Sequence, residues 1–176
     1  MSFPILKNHR LTLRSIKQDD AEFVYFMRTD TKVNQFIIRK KPKDKTDAQQ
    51  FIADRQADFK NEKAIYWMIT HITHPEIAIG SISLWNFSTD RNTAELGYDL
   101  HPDYHSKGIM DESVKLVLAY GFNTLQLQTI EAYTHKENKA SIRLLKRNKF
   151  TLLPDKKDIG LPHNNVFSLR MNTHYQ

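Results

Sequence analysis

The chain has no cysteine among its 176 residues. That absence excludes disulfides, thiolate metal ligands and a cysteine nucleophile together, and it fits a reducing cytoplasm. Long apolar runs are also missing: no segment approaches the roughly 18 consecutive apolar residues of a membrane-spanning helix. The opening MSFPILKNHR has no apolar stretch of the kind a secretion signal carries. A soluble, intracellular, cytoplasmic protein is therefore expected. Repeats and low-complexity tracts do not occur either. Glycine is scarce, five in all, so a glycine between two regular elements raises a question about what it makes room for.

What is present fits one domain over residues 1–176, long enough to bury its core without staples. Forty per cent of residues are hydrophobic and 11% aromatic, an ordinary globular balance. The formal net charge is +6, which favours an anionic partner without choosing among nucleotide, nucleic acid and acidic protein surface. Much of the excess is local. Arg39–Lys45, RKKPKDK, carries five bases and one acid, and Lys139–Lys149 carries five bases and no acid. Each stretch reads equally as a solvated face.

Periodicity orders the rest. Leu11–Ile16 alternates like a strand, the acid-rich Lys17–Asp20 suits a helix start, and a helix continues through Ala21–Arg28. A second helix is expected over Thr46–Asn61, with Thr46 as its cap and an imperfect apolar face of Phe51, Ile52, Ala57 and Phe59. Strands over Ile65–Ile72, Ile77–Phe87 and Thr93–Leu100 follow. Turns containing His74-Pro75 and Thr89–Asn92 join them into an antiparallel meander.

Met110, Val114, Val117, Leu118 and Gly121 then fall on one helical face, and Asp111 and Glu112 suit the positive end of that helix's dipole. Strand Thr129–His135 comes next; strand, helix, strand at this spacing is a crossover that lays the two strands parallel. Asn138 can cap a helix through Ser141–Asn148, and Thr151–Pro154 with Val166–Asn172 would close the sheet as a hairpin. The expected fold is α/β: a mixed, mostly antiparallel sheet of about seven strands flanked by about four helices.

Gly108 falls where a strand's carboxyl end meets a helix N-terminus, a corner whose free N–H groups bind anions. Neither GxxxxGK[ST] nor GxGxxG is present. On spacing alone Gly108 reads as a phosphate site or as an ordinary turn.

The segment HSKGIM, His105–Met110, stands inside AELGYDLHPDYHSKGIMDESVKLVLAYGF and is followed by IEAYTHKENKASIRLLKRNKF. This stretch resembles the GNAT superfamily of acetyl-CoA-dependent N-acetyltransferases, and within it the branch that acetylates ribosomal-protein serine or alanine N-termini. The likeness runs from about Leu11 to Asn172. The family's pyrophosphate loop reads [Q/R]-x-x-G-x-[G/A]; here His105 replaces Gln or Arg, and Met110 replaces Gly or Ala.

The resemblance implies that the backbone of Ser106, Lys107, Gly108, Ile109 and Met110, after His105, cradles the CoA pyrophosphate. The pantetheine arm would pair with the edge Tyr98–Asp99–Leu100. Asn138 would cap its helix and touch the cofactor, and Arg143 or Lys146 would meet the 3′-phosphate. Glu95 matches the family's strand glutamate as general base, and Ser141 its helix serine, serving the departing thiolate. Without the resemblance, Glu95 reads as the solvent face of a strand and Ser141 as an early helix serine bonding locally.

With no cysteine and no GxSxG, direct transfer in a ternary complex is the natural route. No metal is expected, since neither His71 with His74 nor His101 with His105 has ligand spacing. Trp67 and Trp85 read as core. The acceptor is read as a primary amine, foremost a protein N-terminus of ribosomal-protein type. The alternatives are a small amine, or a non-catalytic basic module binding RNA or the ribosome. A homodimer is left open.

Overall fold

The computed structural model describes residues 2–171. Strands β1 (Leu6–Lys7), β2 (Leu11–Ser15), β3 (Ile65–His71), β4 (His74–Trp85), β5 (Thr93–Leu100), β6 (Thr129–His135), β7 (Thr151–Leu152) and β8 (Asn164–Arg170) form one sheet in the order β1-β2-β3-β4-β5-β6-β8-β7. Helices α1 (Ala21–Thr29), α2 (Lys45–Lys60), α3 (Ile109–Asn123) and α4 (Lys139–Arg147) flank it. The expected architecture holds, with one strand more than the alternation shows. A two-residue strand such as β1 is too short to carry a period. The expected closing strand ran to Asn172, which lies outside the described residues.

Every pairing is antiparallel except β5 with β6. Two local expectations shift. The turn before β4 is made by Ile72 and Thr73, and His74 and Pro75 belong to β4, where the register slips between Ile69 and His71. Proline is tolerated there because the irregular ladder does not demand its missing N–H. The cap of α2 is Asp44 rather than Thr46; its carboxylate accepts from the Asp47 amide three residues on, the reach of a capping side chain, and Thr46 already lies inside the first turn.

Side chains alternate across the strands, so the sheet buries both faces. On one face α3 contributes Val114, Val117, Leu118 and Phe122, and α4 contributes Leu145, against Leu84, Leu96, Ile130 and Phe167. On the other, Val24 of α1 and Ala48 and Ile52 of α2 pack on Met68 and Ala78. That second face also holds a buried ion pair, Arg14 with Asp20 at 2.7 Å. Trp67 is fully buried, with its indole N–H donating to the Pro4 carbonyl at 2.7 Å.

Candidate active site

The parallel pairing of β5 and β6 lasts for three residue pairs, Thr93 with Thr129, Ala94 with Ile130 and Glu95 with Glu131. Beyond Glu95 the strands part: β5 keeps only β4 on its other side, and β6 keeps only β8. The side of Leu96–Leu100 that faces away from β4 is therefore a strand edge inside the sheet, without a strand partner, its Leu100 carbonyl met by the His105 ring at 2.9 Å. Glu95 stands at the apex of the resulting V.

At the open end of β5 the chain turns through Pro102–Tyr104 and reaches Ser106 and Gly108, both left-handed, with φ of 61° and 75°. Gly108 caps α3 without a side-chain bond. No acceptor among the described residues takes the amides of Lys107, Gly108, Ile109 or Met110, so the first turn of α3 presents unsatisfied N–H groups at a positive dipole end. Met110, one of the two departures from the family loop, is buried in the α3 core and leaves that turn open. His105, the other, reaches back to the Leu100 carbonyl at 2.9 Å and ties the loop to the end of β5.

Acids beside an anion-binding loop would repel its ligand, and both are neutralised. Burial disfavours ionised Glu112, but hydrogen bonds from Arg10 and Asn8 outweigh it and hold the carboxyl below its usual range. Asp111 is held low in the same way, against burial, by Lys115 and Asn148. Arg10 does more. Its Nη2 donates to the Lys107 carbonyl at 2.7 Å, so one guanidinium grips both the loop and the helix behind it. No local pattern links residue 10 to residue 107, and sequence reasoning missed it.

Across the V, the Tyr98 hydroxyl meets Ser141 Oγ at 2.7 Å, which joins β5 to α4. Burial raises the Tyr98 phenol to about 12, against the opposing pull of its bond to Ser141. Asn138 caps α4 by accepting from the Ser141 amide at 3.1 Å. Arg143 and Lys146 lie on the exposed side of α4, apart from this cluster.

On the opposite face of β5 lie Glu95, Gly97 and Asp99. Burial pushes the Glu95 carboxyl above its usual range; a 3.1 Å bond from Asn86 pulls it back, and Asp158 and Glu131 push it further up. Trp85, read as core, is instead 45% exposed on this face beside Glu95. The Asp99 side chain is committed to Arg39 at 2.8 Å and Ser81 at 2.6 Å. Arg39 belongs to the basic RKKPKDK loop, which thus turns inward at one residue. Phe36, just before it, stacks on His135 at the end of β6 with centroids 5.3 Å apart. The segment between α1 and α2 is anchored to both arms of the V.

These groups suit a diphosphate at the helix start and an extended amide chain along β5. Among the described residues no cluster of three His, Asp, Glu or Cys side chains could hold a metal ion. Residues 10–151 match the family model described as an acetyltransferase (GNAT) domain. The chain belongs to the GNAT acetyltransferases.

This acetyltransferase is 30% identical over 148 residues to the N-acetyltransferase YoaA of Bacillus subtilis (strain 168), itself uncharacterised, covering 84% of this chain and 83% of that one. Its fold matches the ribosomal-protein-S5-alanine acetyltransferase of Vibrio fischeri with a TM-score of 0.81 at 21% identity, over 98% and 99% of the two chains. It also matches the microcin C7 self-immunity acetyltransferase MccE, solved with acetyl-CoA and AMP, with a TM-score of 0.76 at 24% identity over 93% and 94%. No helix among the described residues of the acetyltransferase is long and apolar enough to cross a membrane.

Proposed function

We propose that the enzyme transfers the acetyl group of acetyl-CoA directly to a primary amine, with a protein N-terminus as the favoured acceptor. The observation that carries this is the V between β5 and β6, with free α3 amides at its mouth and Glu95 at its apex. The amides of Lys107–Met110 would hold the pyrophosphate, and the edge Tyr98–Leu100 would pair with the pantetheine amides as an added strand does. Acetyl-CoA then supplies an activated acyl group at the apex.

Glu95 takes the proton of the acceptor ammonium, directly or through water, and the freed amine attacks the thioester carbonyl carbon. Its raised affinity for protons brings it nearer to the working pH of a general base. As the tetrahedral intermediate collapses, the acylated nitrogen gives its second proton to water, the C–S bond breaks and the thiolate needs a proton. Tyr98 is held protonated by burial and shares a 2.7 Å bond with Ser141 Oγ; with Tyr98 as its donor, the Ser141 proton is free to face the sulfur. Asn138 fixes Ser141 from the helix cap. Arg143 and Lys146 remain candidates for the 3′-phosphate by charge and position on α4.

The protein acceptor is favoured by the structural neighbours that acetylate ribosomal proteins and by the anchored loop between α1 and α2 along one side of the V. A thiol-release assay with acetyl-CoA tests the reading, run against N-terminal peptides, polyamines, amino acids and aminoglycosides. Peptide-dependent release that collapses in Glu95→Gln supports it. Release with none of these acceptors from a protein that still binds acetyl-CoA overturns it.

A further inference from the structure

Around Asp99, on the Glu95 face of β5, the enzyme gathers more positive charge than it pairs. Arg39 is matched to Asp99, and Arg55 to Asp58 at 2.6 Å. Arg28 of α1 has no carboxylate within ion-pair reach among the described residues. Its guanidinium lies 4.2 Å from the Phe51 ring centroid and donates to the Lys40 carbonyl at 2.9 Å. Burial, and then the neighbouring Arg39, lower its hold on its proton, while Tyr66 and Asp99 act the other way.

Arg28 also lines a cavity of about 10 Å³, room for one oxygen-sized group, whose other walls are apolar (Phe23, Val24, Met27, Met68) except for Tyr66, Ser81 and Asp99. Glu95, Gly97 and Asp99 share the face of β5 that leads toward it. Trp85 lies opposite Glu95, Ser83 opposite Gly97 and Ser81 opposite Asp99, all on one face. Gly97 keeps the floor clear, because a Cβ there would sit 3.1 Å from Ser83 Oγ and 3.5 Å from the Trp85 indole nitrogen. Four residues of strand separate Glu95 from Asp99, about 13 Å at ~3.3 Å per residue.

We infer that Arg28 is a specificity residue, reading a side-chain carboxylate near the third or fourth position of an acidic peptide whose α-amine lies at Glu95. The inference rests on the proposed acetyl transfer to a peptide amine. An extended peptide covers ~3.3–3.6 Å per residue, so such a side chain reaches the Arg28 cavity, whereas the carboxylate of a free amino acid is too close to its own amine. A carboxylate on Arg28 supplies the missing counter-charge as a charge-assisted hydrogen bond.

The test uses synthetic N-terminal peptides differing only as Glu against Gln at position two, three or four. The readout is kcat/KM for wild type, Arg28→Gln and Arg28→Lys, with acetyl-CoA affinity by calorimetry as the check on fold and cofactor site. Expected is a preference of about tenfold or more for Glu at one of positions three and four, abolished in Arg28→Gln and partly kept in Arg28→Lys. Loss of packing alone would lower both peptides equally and leave their ratio in place. Equal turnover of Glu and Gln peptides by wild type, or an undiminished preference in Arg28→Gln, overturns the inference and leaves acetyl transfer standing. Acetylation of small amines with no turnover of any peptide overturns the peptide reading and this inference together.

Discussion

The guanidinium of Arg10 donates to the Lys107 carbonyl at 2.7 Å and pairs with Glu112 at 2.8 Å, joining the start of β2 to the two sides of Gly108. It therefore sets the direction of the free amides without offering itself to the active-site V. Arg10→Ala is expected to weaken acetyl-CoA binding about tenfold, roughly 1.4 kcal/mol, with a smaller effect on turnover at saturation. Arg10→Lys should recover part of the loss, since a lysine can meet Glu112 or the carbonyl but lacks the fork that meets both. Calorimetry with KM and kcat measured separately checks this.

Gly108 has a φ of 75°, and a Cβ there would come within 3.2 Å of Arg10 Nη2. Gly108→Val meets two penalties, a left-handed backbone worth ~1–2 kcal/mol for a side-chain-bearing residue and a displaced Arg10. Acetyl-CoA affinity is expected to fall by more than tenfold. The melting temperature should move only a few degrees, because the sheet and its two cores do not touch this residue.

Glu95 binds its proton more tightly in the folded chain than in the unfolded one, chiefly through burial. Activity should rise with pH through that raised value, and Glu95→Gln should lose this limb and ~10²–10⁴ in kcat. Stability runs the other way. Between the unfolded and the raised folded pKa the native state holds more protons, so stability falls as pH rises through that window. Denaturant melts across the window should show this slope in wild type and not in Glu95→Gln.

Tyr98 and Ser141 share a 2.7 Å bond between β5 and α4. Ser141→Ala is expected to cost on the order of a hundredfold in kcat, in the range of a lost proton donor. Tyr98→Phe should cost less, because Ser141 keeps its own proton and loses only its orientation. A kcat unchanged in Ser141→Ala would assign thiolate protonation to water.

Arg14 and Asp20 are 8% and 4% exposed and bond through both guanidinium branches. Asp20→Asn would leave Arg14 buried without its counter-charge, a loss of about 3–5 kcal/mol. Urea denaturation should show it as a lower midpoint with an unchanged slope.

Much of this was legible in the chain because it is local. The alternation of Thr93–Leu100, the period of α3 and the cap at Asn138 are all written within a few residues. So was the setting of Gly108, though its hexapeptide alone did not decide between turn and anion site. What stayed hidden depends on distant pairs. Arg10 meets Lys107 only after the meander folds, and Arg39 meets Asp99 only once the basic loop turns back. Trp85 reads as core by residue type, yet its place opposite Glu95 leaves it half exposed. The short run of parallel pairs in β5 and β6 is likewise unwritten, since nothing in either strand marks where pairing stops.

The unpaired side of Leu96–Leu100 invites any extended chain, a second molecule's included, to complete the sheet. A small ligand lodged there would act as a plug against misassembly. Purified without it, the protein should clump more readily on warming than when stored with it.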